Sequence, residues 1–136
     1  MKKVFYSILA CLVSLSCQGQ KSEQVKGEQK SDFVSVSANE FAKVLTDTAI
    51  VLLDVRTADE YAAGHIKGTR WNIDVLKPDF DSLAVSQLQK DKTVALYCRS
   101  GNRSKRAAQI LTSKGYRVIE LSTGYNGWVK AGLPVE

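Results

Sequence analysis

The chain predicts an α/β domain with a mostly parallel central sheet covered by helices on both faces, and three observations carry that expectation. Short runs rich in Val, Ile and Leu recur between residues 33 and 121, each of the length and character of a strand buried on both sides. Helical patterns separate most of these runs, so successive strands are joined by crossovers. Two of the helices are announced by a paired hydroxyl and carboxylate directly after a strand.

Residues 33–36 form the first expected strand. Ser37-Ala38-Asn39-Glu40 follows as a capping box, in which hydroxyl and carboxylate satisfy opposite orphan amides at a helix start. Residues 50–55 form the second strand, and Thr57-Ala58-Asp59-Glu60 repeats the cap. Gly64 and Gly115 stand where helices should end, because glycine tolerates the positive φ of a helix terminus. Residues 71–73 read as a weaker strand and 81–88 as a short helix. Residues 94–97 are a buried strand, followed by an amphipathic helix over 104–114 with Ala107, Ala108, Ile110 and Leu111 on its apolar side. A strand at 118–121 and a helix at 124–130 complete the domain. Right-handed crossovers place the C-terminal ends of such strands on one edge, where open α/β sheets bind ligands. Cys98 falls at such an end.

At 136 residues the chain has room for one domain, and its N-terminal part has a different character. Lys2 and Lys3 precede an uncharged, largely apolar run over residues 4–15, closed by Ser14 and Ser16 around Leu15 and then by Cys17. This is the layout of a bacterial secretion signal. It is too short for a membrane span, which takes about 20 apolar residues. A cysteine in that place resembles the lipid-attachment site of bacterial lipoproteins, although Ser14 stands where those signals usually carry leucine. Ile8-Leu9-Ala10-Cys11 fits the local pattern better but leaves only residues 4–10 as the apolar stretch, which favours Cys17. Simple cleavage without lipidation is the alternative. Residues 18–31 hold one clearly apolar side chain, Val25, and read as a flexible tether reaching about 45 to 50 Å when extended. The expected organisation is a secretion signal over 1–16, a lipidation site and tether over 17–32, and a folded domain over 33–136. The protein is expected to be exported and held by a lipid anchor at the periplasmic or outer face of a bacterial membrane.

The formal net charge is +5, and without Lys2 and Lys3 the chain carries 17 basic and 14 acidic residues, or +3. Apart from Arg99, Arg103, Lys105 and Arg106 the basic residues are dispersed. Nucleic-acid binding needs a clustered basic face, so it is not expected. That local cluster suits small anions instead. Of the three cysteines, Cys98 is the only one within the expected domain, which excludes an internal disulfide there. A single histidine, His65, and no clustered cysteines give no zinc spacing, and neither a metal nor a cofactor is expected.

Chemistry concentrates in Leu96-Tyr97-Cys98-Arg99-Ser100-Gly101-Asn102-Arg103-Ser104, where an apolar strand ends in a cysteine and passes through a cationic loop into a helix. Loop and first-turn amides carry partial positive charge and, with Arg99 and Arg103, favour an anion at the sulfur. Lowering a thiol pKa from about 8.5 to roughly 6.5 raises the thiolate fraction at pH 7 from about 3% to about 75%, which takes about 2.7 kcal/mol. A helix terminus contributes about 2 kcal/mol at best, so loop amides and an arginine must supply the rest. The competing reading of Cys98 is a small core hydrophobe. A basic, tight loop containing Gly101 weighs against it, and the expectation is a lone thiol kept available to substrate.

Three segments together resemble the rhodanese family of sulfurtransferases, specifically its single-domain members, over residues 34–136. They are Leu52-Leu53-Asp54-Val55-Arg56-Thr57 with Glu60-Tyr61 and Gly64-His65-Ile66-Lys67-Gly68-Thr69, the Cys98 loop, and Leu121-Ser122-Thr123-Gly124-Tyr125-Asn126-Gly127-Trp128 with Gly132-Leu133-Pro134-Val135. Thr123 departs from the glycine many members have there, which is expected to alter a turn and not the chemistry. The resemblance implies a rhodanese-like three-layer fold and a Cys98 nucleophile that becomes a persulfide. It further implies a small anionic sulfur donor such as thiosulfate and a thiol or cyanide-like acceptor. Arg99, Ser100, Gly101, Asn102, Arg103 and Ser104 are then the substrate-binding loop, and their amides hold the persulfide charge. Asp54, Arg56 and His65 are expected to brace that loop, Glu60 to cap its helix, and Trp71, Tyr125 and Trp128 to be core or pocket wall. A persulfide carrier or sulfide-sensing module without turnover needs the same loop and stays open. A thiolate phosphatase is disfavoured, because its arginine falls six positions after the cysteine, where this chain has Ser104, Arg103 being fifth.

Overall fold

The structure, a computed structural model, describes residues 32–136. The expected secretion signal, Cys11, Cys17 and the tether up to residue 31 lie outside the described residues.

Five strands form one sheet in the order β1-β5-β4-β2-β3, with every neighbouring pair parallel. They are β1 (Val34–Val36), β2 (Val51–Asp54), β3 (Trp71–Asn72), β4 (Thr93–Tyr97) and β5 (Arg117–Leu121). The connecting helices are α1 (Ala38–Val44), α2 (Ala58–Ala63), α3 (Phe80–Gln87), α4 (Asn102–Ser113) and α5 (Gly124–Lys130). Side chains of β4 alternate between the two faces of the sheet. Val94, Leu96 and Cys98 join Phe80 and Ala84 of α3 and Ala107, Ala108 and Leu111 of α4 in one core cluster. Ala95 and Tyr97 join Phe41 of α1 and Trp128 of α5 in the other. Burial on both faces is why this strand reads as an unbroken apolar run, and the sheet with its two helical coverings makes three layers.

Both capping boxes form. Glu40 N–H donates to Ser37 Oγ at 3.4 Å and Ser37 N–H to Glu40 Oε2 at 3.0 Å. Thr57 and Glu60 repeat the arrangement at 3.3 and 3.2 Å. Glu60 caps α2 as expected and has a further partner. Arg103 grips its carboxylate with two parallel bonds, Nη1 to Oε2 at 2.7 Å and Nη2 to Oε1 at 2.8 Å, tying the start of α2 to the first turn of α4. Trp71 is a correction. It lies on the two-residue edge strand β3, which has no neighbour on its outer side, and is exposed, whereas Trp128 is core and donates Nε1–H to Pro134 O at 2.9 Å.

Helix α4 starts two residues earlier than the apolar pattern suggests, because Gly101 takes φ +103° and serves as its N-cap. A Cβ on Gly101 would lie 2.2 Å from Ser122 O. Opposite it, Gly124 at φ +63° brings its backbone so close that a Cβ would lie 2.5 Å from the Arg99 carbonyl. Tyr125 N–H donates to Cys98 O at 2.8 Å and Asn126 N–H to Arg99 O at 3.0 Å. The loop after β4 therefore rests on the turn between β5 and α5, backbone against backbone. Thr123 fits there because its side chain occupies the space a Cβ on Gly127 would need, 2.1 Å from Oγ1.

Two predictions follow from this packing. Gly124→Ala combines a left-handed backbone with overlap onto Arg99 and should lower stability by at least about 2 kcal/mol, read as a fall in Tm; an unchanged Tm would contradict the close approach. The two-pronged grip of Arg103 holds the Glu60 carboxyl down to about 2 from its ordinary 4.5. A depressed carboxyl stabilises the fold above its unfolded pKa and ceases to do so as pH falls through the folded one. Wild type should thus be more stable than Glu60→Gln at neutral pH, by on the order of 1 to 2 kcal/mol after solvent screening and read as a higher Tm, with the gap closing between about pH 4.5 and 2. A gap that persists below pH 2 would show that charge is not its source.

Candidate active site

Cys98 follows directly on β4 at the C-terminal edge of the sheet, and the chain then curls back over it. Gly101 N–H donates to Sγ at 3.1 Å, and Ser104 Oγ lies 3.3 Å from the sulfur. Burial pushes the thiol pKa up, but hydrogen bonds from the Ser104 hydroxyl and from the Ser104, Gly101 and Ser100 amides outweigh it, leaving Cys98 below the ordinary thiol value. The donors are fewer than the full set of amides from Arg99 to Ser104.

One expectation is corrected here. Cys98 is 1% exposed, so the thiol is not open to solvent. Two features of the chain cause this. The alternation of β4 points Cys98 to the same face as Val94 and Leu96, under α4, and the Gly101 turn folds the loop over it. The sulfur thus belongs to the core by position and to a hydrogen-bonded cradle by chemistry.

The two arginines of the loop have different surroundings. Arg103 is committed to Glu60, with its charge also facing Cys98, whose sulfur adds to the attraction holding the guanidinium protonated. Arg99 is exposed, makes no ion pair among the described residues, and lines an open cavity of about 300 Å³ with Arg56, Glu60, Ala63, Gly64, Tyr125 and Asn126. Ser100 and Asn102 are exposed beside it. The lining of the cavity stops short of Cys98.

Asp54 and Arg56 form a buried pair. Arg56 donates Nε–H to both Asp54 oxygens at 3.0 Å and Nη2–H to Oδ2 at 2.7 Å, while its backbone N–H reaches Oδ1 at 2.8 Å. A further Nη2 bond to Gly64 O at 2.7 Å fixes the guanidinium, which lies 4.3 Å from the Tyr125 ring centre. Tyr125 in turn donates its backbone N–H to Cys98 O, so this pair reaches the loop through one aromatic residue. His65 is placed elsewhere. Its Nδ1 is 3.0 Å from Tyr61 O, its ring stacks on Tyr61 at 3.9 Å, and Nε2 lies 3.6 Å from the Glu136 carboxylate. These contacts tie the end of α2 to the C-terminus, and none is with residues 98–104, which corrects the expectation that His65 braces the loop.

Glu120 was not legible as a site residue. It is fully buried in β5, accepts from Ser104 Oγ at 2.6 Å, and is joined to Lys105 Nζ at 3.3 Å. Its signal was a carboxylate inside a strand of a sheet buried on both faces, a position that requires polar partners. Among the described residues no three His, Cys, Asp or Glu side chains come together to hold a metal ion.

With this geometry in hand, comparison with known proteins is direct. Residues 37–131 match the family model described as a rhodanese-like domain. A protein of Allochromatium vinosum named sulfurtransferase is 36% identical over 102 residues, covering 74% of this chain and 92% of the relative. Thiosulfate sulfurtransferase GlpE of Tolumonas auensis is 30% identical over 99 residues, covering 72% and 90%. The crystal structure of a rhodanese-related protein from Thermoplasma volcanium superposes with a TM-score of 0.62 at 28% identity, over 76% of this chain and 98% of that one. The rhodanese-like domain of the Anabaena Alr3790 protein gives 0.67 at 28% identity, over 75% and 77%. The Allochromatium and Tolumonas relatives are named sulfurtransferases, and the chain belongs to the rhodanese-like domain family.

Proposed function

We propose that this protein is an exported sulfurtransferase that moves a sulfane sulfur from a small anionic donor of the thiosulfate type to a thiol or cyanide-like acceptor, through a persulfide on Cys98. The observation that carries the reading is the cradle of the sulfur. Gly101 N–H and the Ser104 hydroxyl stand at hydrogen-bond distance from Sγ at the C-terminal edge of a parallel sheet. The fixed Gly101 amide donor, and the hydroxyl once its proton turns to the sulfur, stabilise negative charge on the thiolate and then on the persulfide. In the first half-reaction the Cys98 thiolate attacks the outer sulfur of the donor, and sulfite leaves with the electrons of the broken S–S bond. In the second, the acceptor attacks the outer sulfur of the persulfide and Cys98 leaves as thiolate.

Arg99 fits the role of drawing the donor anion toward the loop, because it lines the cavity and makes no ion pair among the described residues. Arg103 fits a positioning role, holding the loop by its grip on Glu60. Because Cys98 is 1% exposed, the donor has to pass the loop to reach it, which suits an atom-sized cargo. A second reading, a persulfide carrier that loads readily and releases only to a protein partner, needs the same loop.

Mass spectrometry separates these readings. After thiosulfate treatment the peptide containing Cys98 should gain about one sulfur atom, removable by reductant, and Cys98→Ser should show neither the gain nor thiosulfate:cyanide turnover. Turnover retained in Cys98→Ser would refute the nucleophile. Loading without release to small acceptors would leave the carrier reading standing.

Export and anchoring are supported by Lys2, Lys3, the uncharged run over residues 4–15 and Cys17. Protein extracted from membranes should have the intact mass of a chain beginning at Cys17 and carrying acyl groups. An unacylated mature chain would rule out the anchor.

A further inference from the structure

Glu120 has no part in the chemistry proposed so far, yet it is fully buried and lies one hydroxyl away from the sulfur. It sits opposite Ser35 on β1 and Leu96 on β4, with its side chain on the α4 side of the sheet. Ser35 donates to Oε2, Ser104 donates to Oε1 at 2.6 Å, and Lys105 Nζ is 3.3 Å from Oε1. Lys105 also donates to Gly101 O at 3.0 Å. Among the described residues the charged or titratable groups facing Glu120 are Lys105 from α4 and, through Ser104, Cys98. β1 offers only the Ser35 hydroxyl, β4 the apolar Leu96, and α1 packs on the opposite face.

The Ser104 hydroxyl has one proton and two neighbours that compete for it. With that proton directed to Glu120, Oγ turns its lone pairs to the sulfur and the thiol donates to them. The Gly101 amide can only donate. Among the described residues Ser104 Oγ is therefore the one proton acceptor at hydrogen-bond distance from Sγ, and at 1% exposure Cys98 has scarcely any access to bulk water. We propose that Cys98, Ser104 and Glu120 share one proton, and that the thiol ionises by passing its proton through Ser104 to Glu120, with Glu120 acting as a positioning residue. In this step the S–H bond and the Ser104 O–H bond break while Ser104 regains a proton from sulfur and Glu120 gains one from Ser104. A thiol and a carboxylate become a thiolate and a carboxylic acid, no electrons change hands, and the net charge of the site is constant. Holding that charge constant avoids the cost of creating a second charge in a buried site. The Ser104 hydroxyl then donates to the thiolate. After the acceptor has removed the outer sulfur, the thiolate regains its proton by the reverse path.

The inference rests on Cys98 as the nucleophile, but its test reads the sulfur directly, so failure of proton sharing and failure of sulfur transfer are seen separately. The full chain is alkylated with iodoacetamide between pH 5 and 9, from above the ordinary carboxyl value to just past the ordinary thiol value, and the rate is read on the Cys98 peptide by mass. While the coupled groups hold one proton between them, the wild-type rate should change by less than about twofold per pH unit before its final rise. Glu120→Gln keeps an acceptor for Ser104 but takes no proton, so its rate should climb about tenfold per unit to a single plateau. Ser104→Ala should give the same steep limb, and Ser104→Thr should restore the shallow one. Equal slopes in wild type and Glu120→Gln, superimposed or displaced along the pH axis, overturn the proposal. Should Glu120→Gln fail to fold, the two Ser104 variants carry the same comparison, and equal slopes there overturn it as well.

Discussion

A sulfur that water hardly reaches can hold negative charge only where fixed donors take the place of water. An unpaired buried anion costs several kcal/mol, and a sulfur among aliphatic side chains would simply stay protonated. Cys98 has Val94, Leu96, Ala107 and Ala108 in its own core cluster, yet its Sγ meets an amide and a hydroxyl. That contrast depends on the backbone at two glycines. Gly101 folds the loop so that its N–H points at the sulfur, and Gly124 lets the neighbouring turn press against Arg99 from the other side. Any side chain at either glycine would push the loop off its seat, and with it the donors.

Around this cradle the structure spends its buried charges on holding backbone in place. Asp54 and Arg56 neutralise each other, brace Gly64 and support Tyr125, which grips the carbonyl of Cys98. Glu60 serves α2 as a cap and α4 as an anchor through Arg103. Of the two loop arginines the structure leaves Arg99 to the cavity, so attraction of an anion and rigidity of the loop fall to different residues.

The parts of the fold visible in the sequence were those governed by local rules. Capping boxes at Ser37 and Thr57 are short-range hydrogen-bond patterns, and the apolar run ending in Tyr97 reflects burial on both faces of β4. The helix at Gly124–Lys130 came out with its bounds intact. Matters decided by tertiary neighbours were not visible. Trp71 looks like core until β3 proves to be an edge, and Glu60 looks like a cap until Arg103 arrives from 43 residues away. Glu120 was passed over within its strand, and only the parity of β5 with α4 above it places the carboxylate beside Ser104. Burial of Cys98 follows from the same parity, which the sequence contained in Val94 and Leu96 but which the pull of the basic loop obscured.

The most direct test of the account is the ionisation of the Cys98 sulfur itself, followed as the Cβ resonance of labelled cysteine across pH and assigned by its loss in Cys98→Ser. A cradle of donors predicts that the thiolate begins to form below the ordinary thiol value of about 8.5. A single transition at or above that value would mean that burial prevails over the hydrogen bonds, and that this sulfur is part of the core and nothing more.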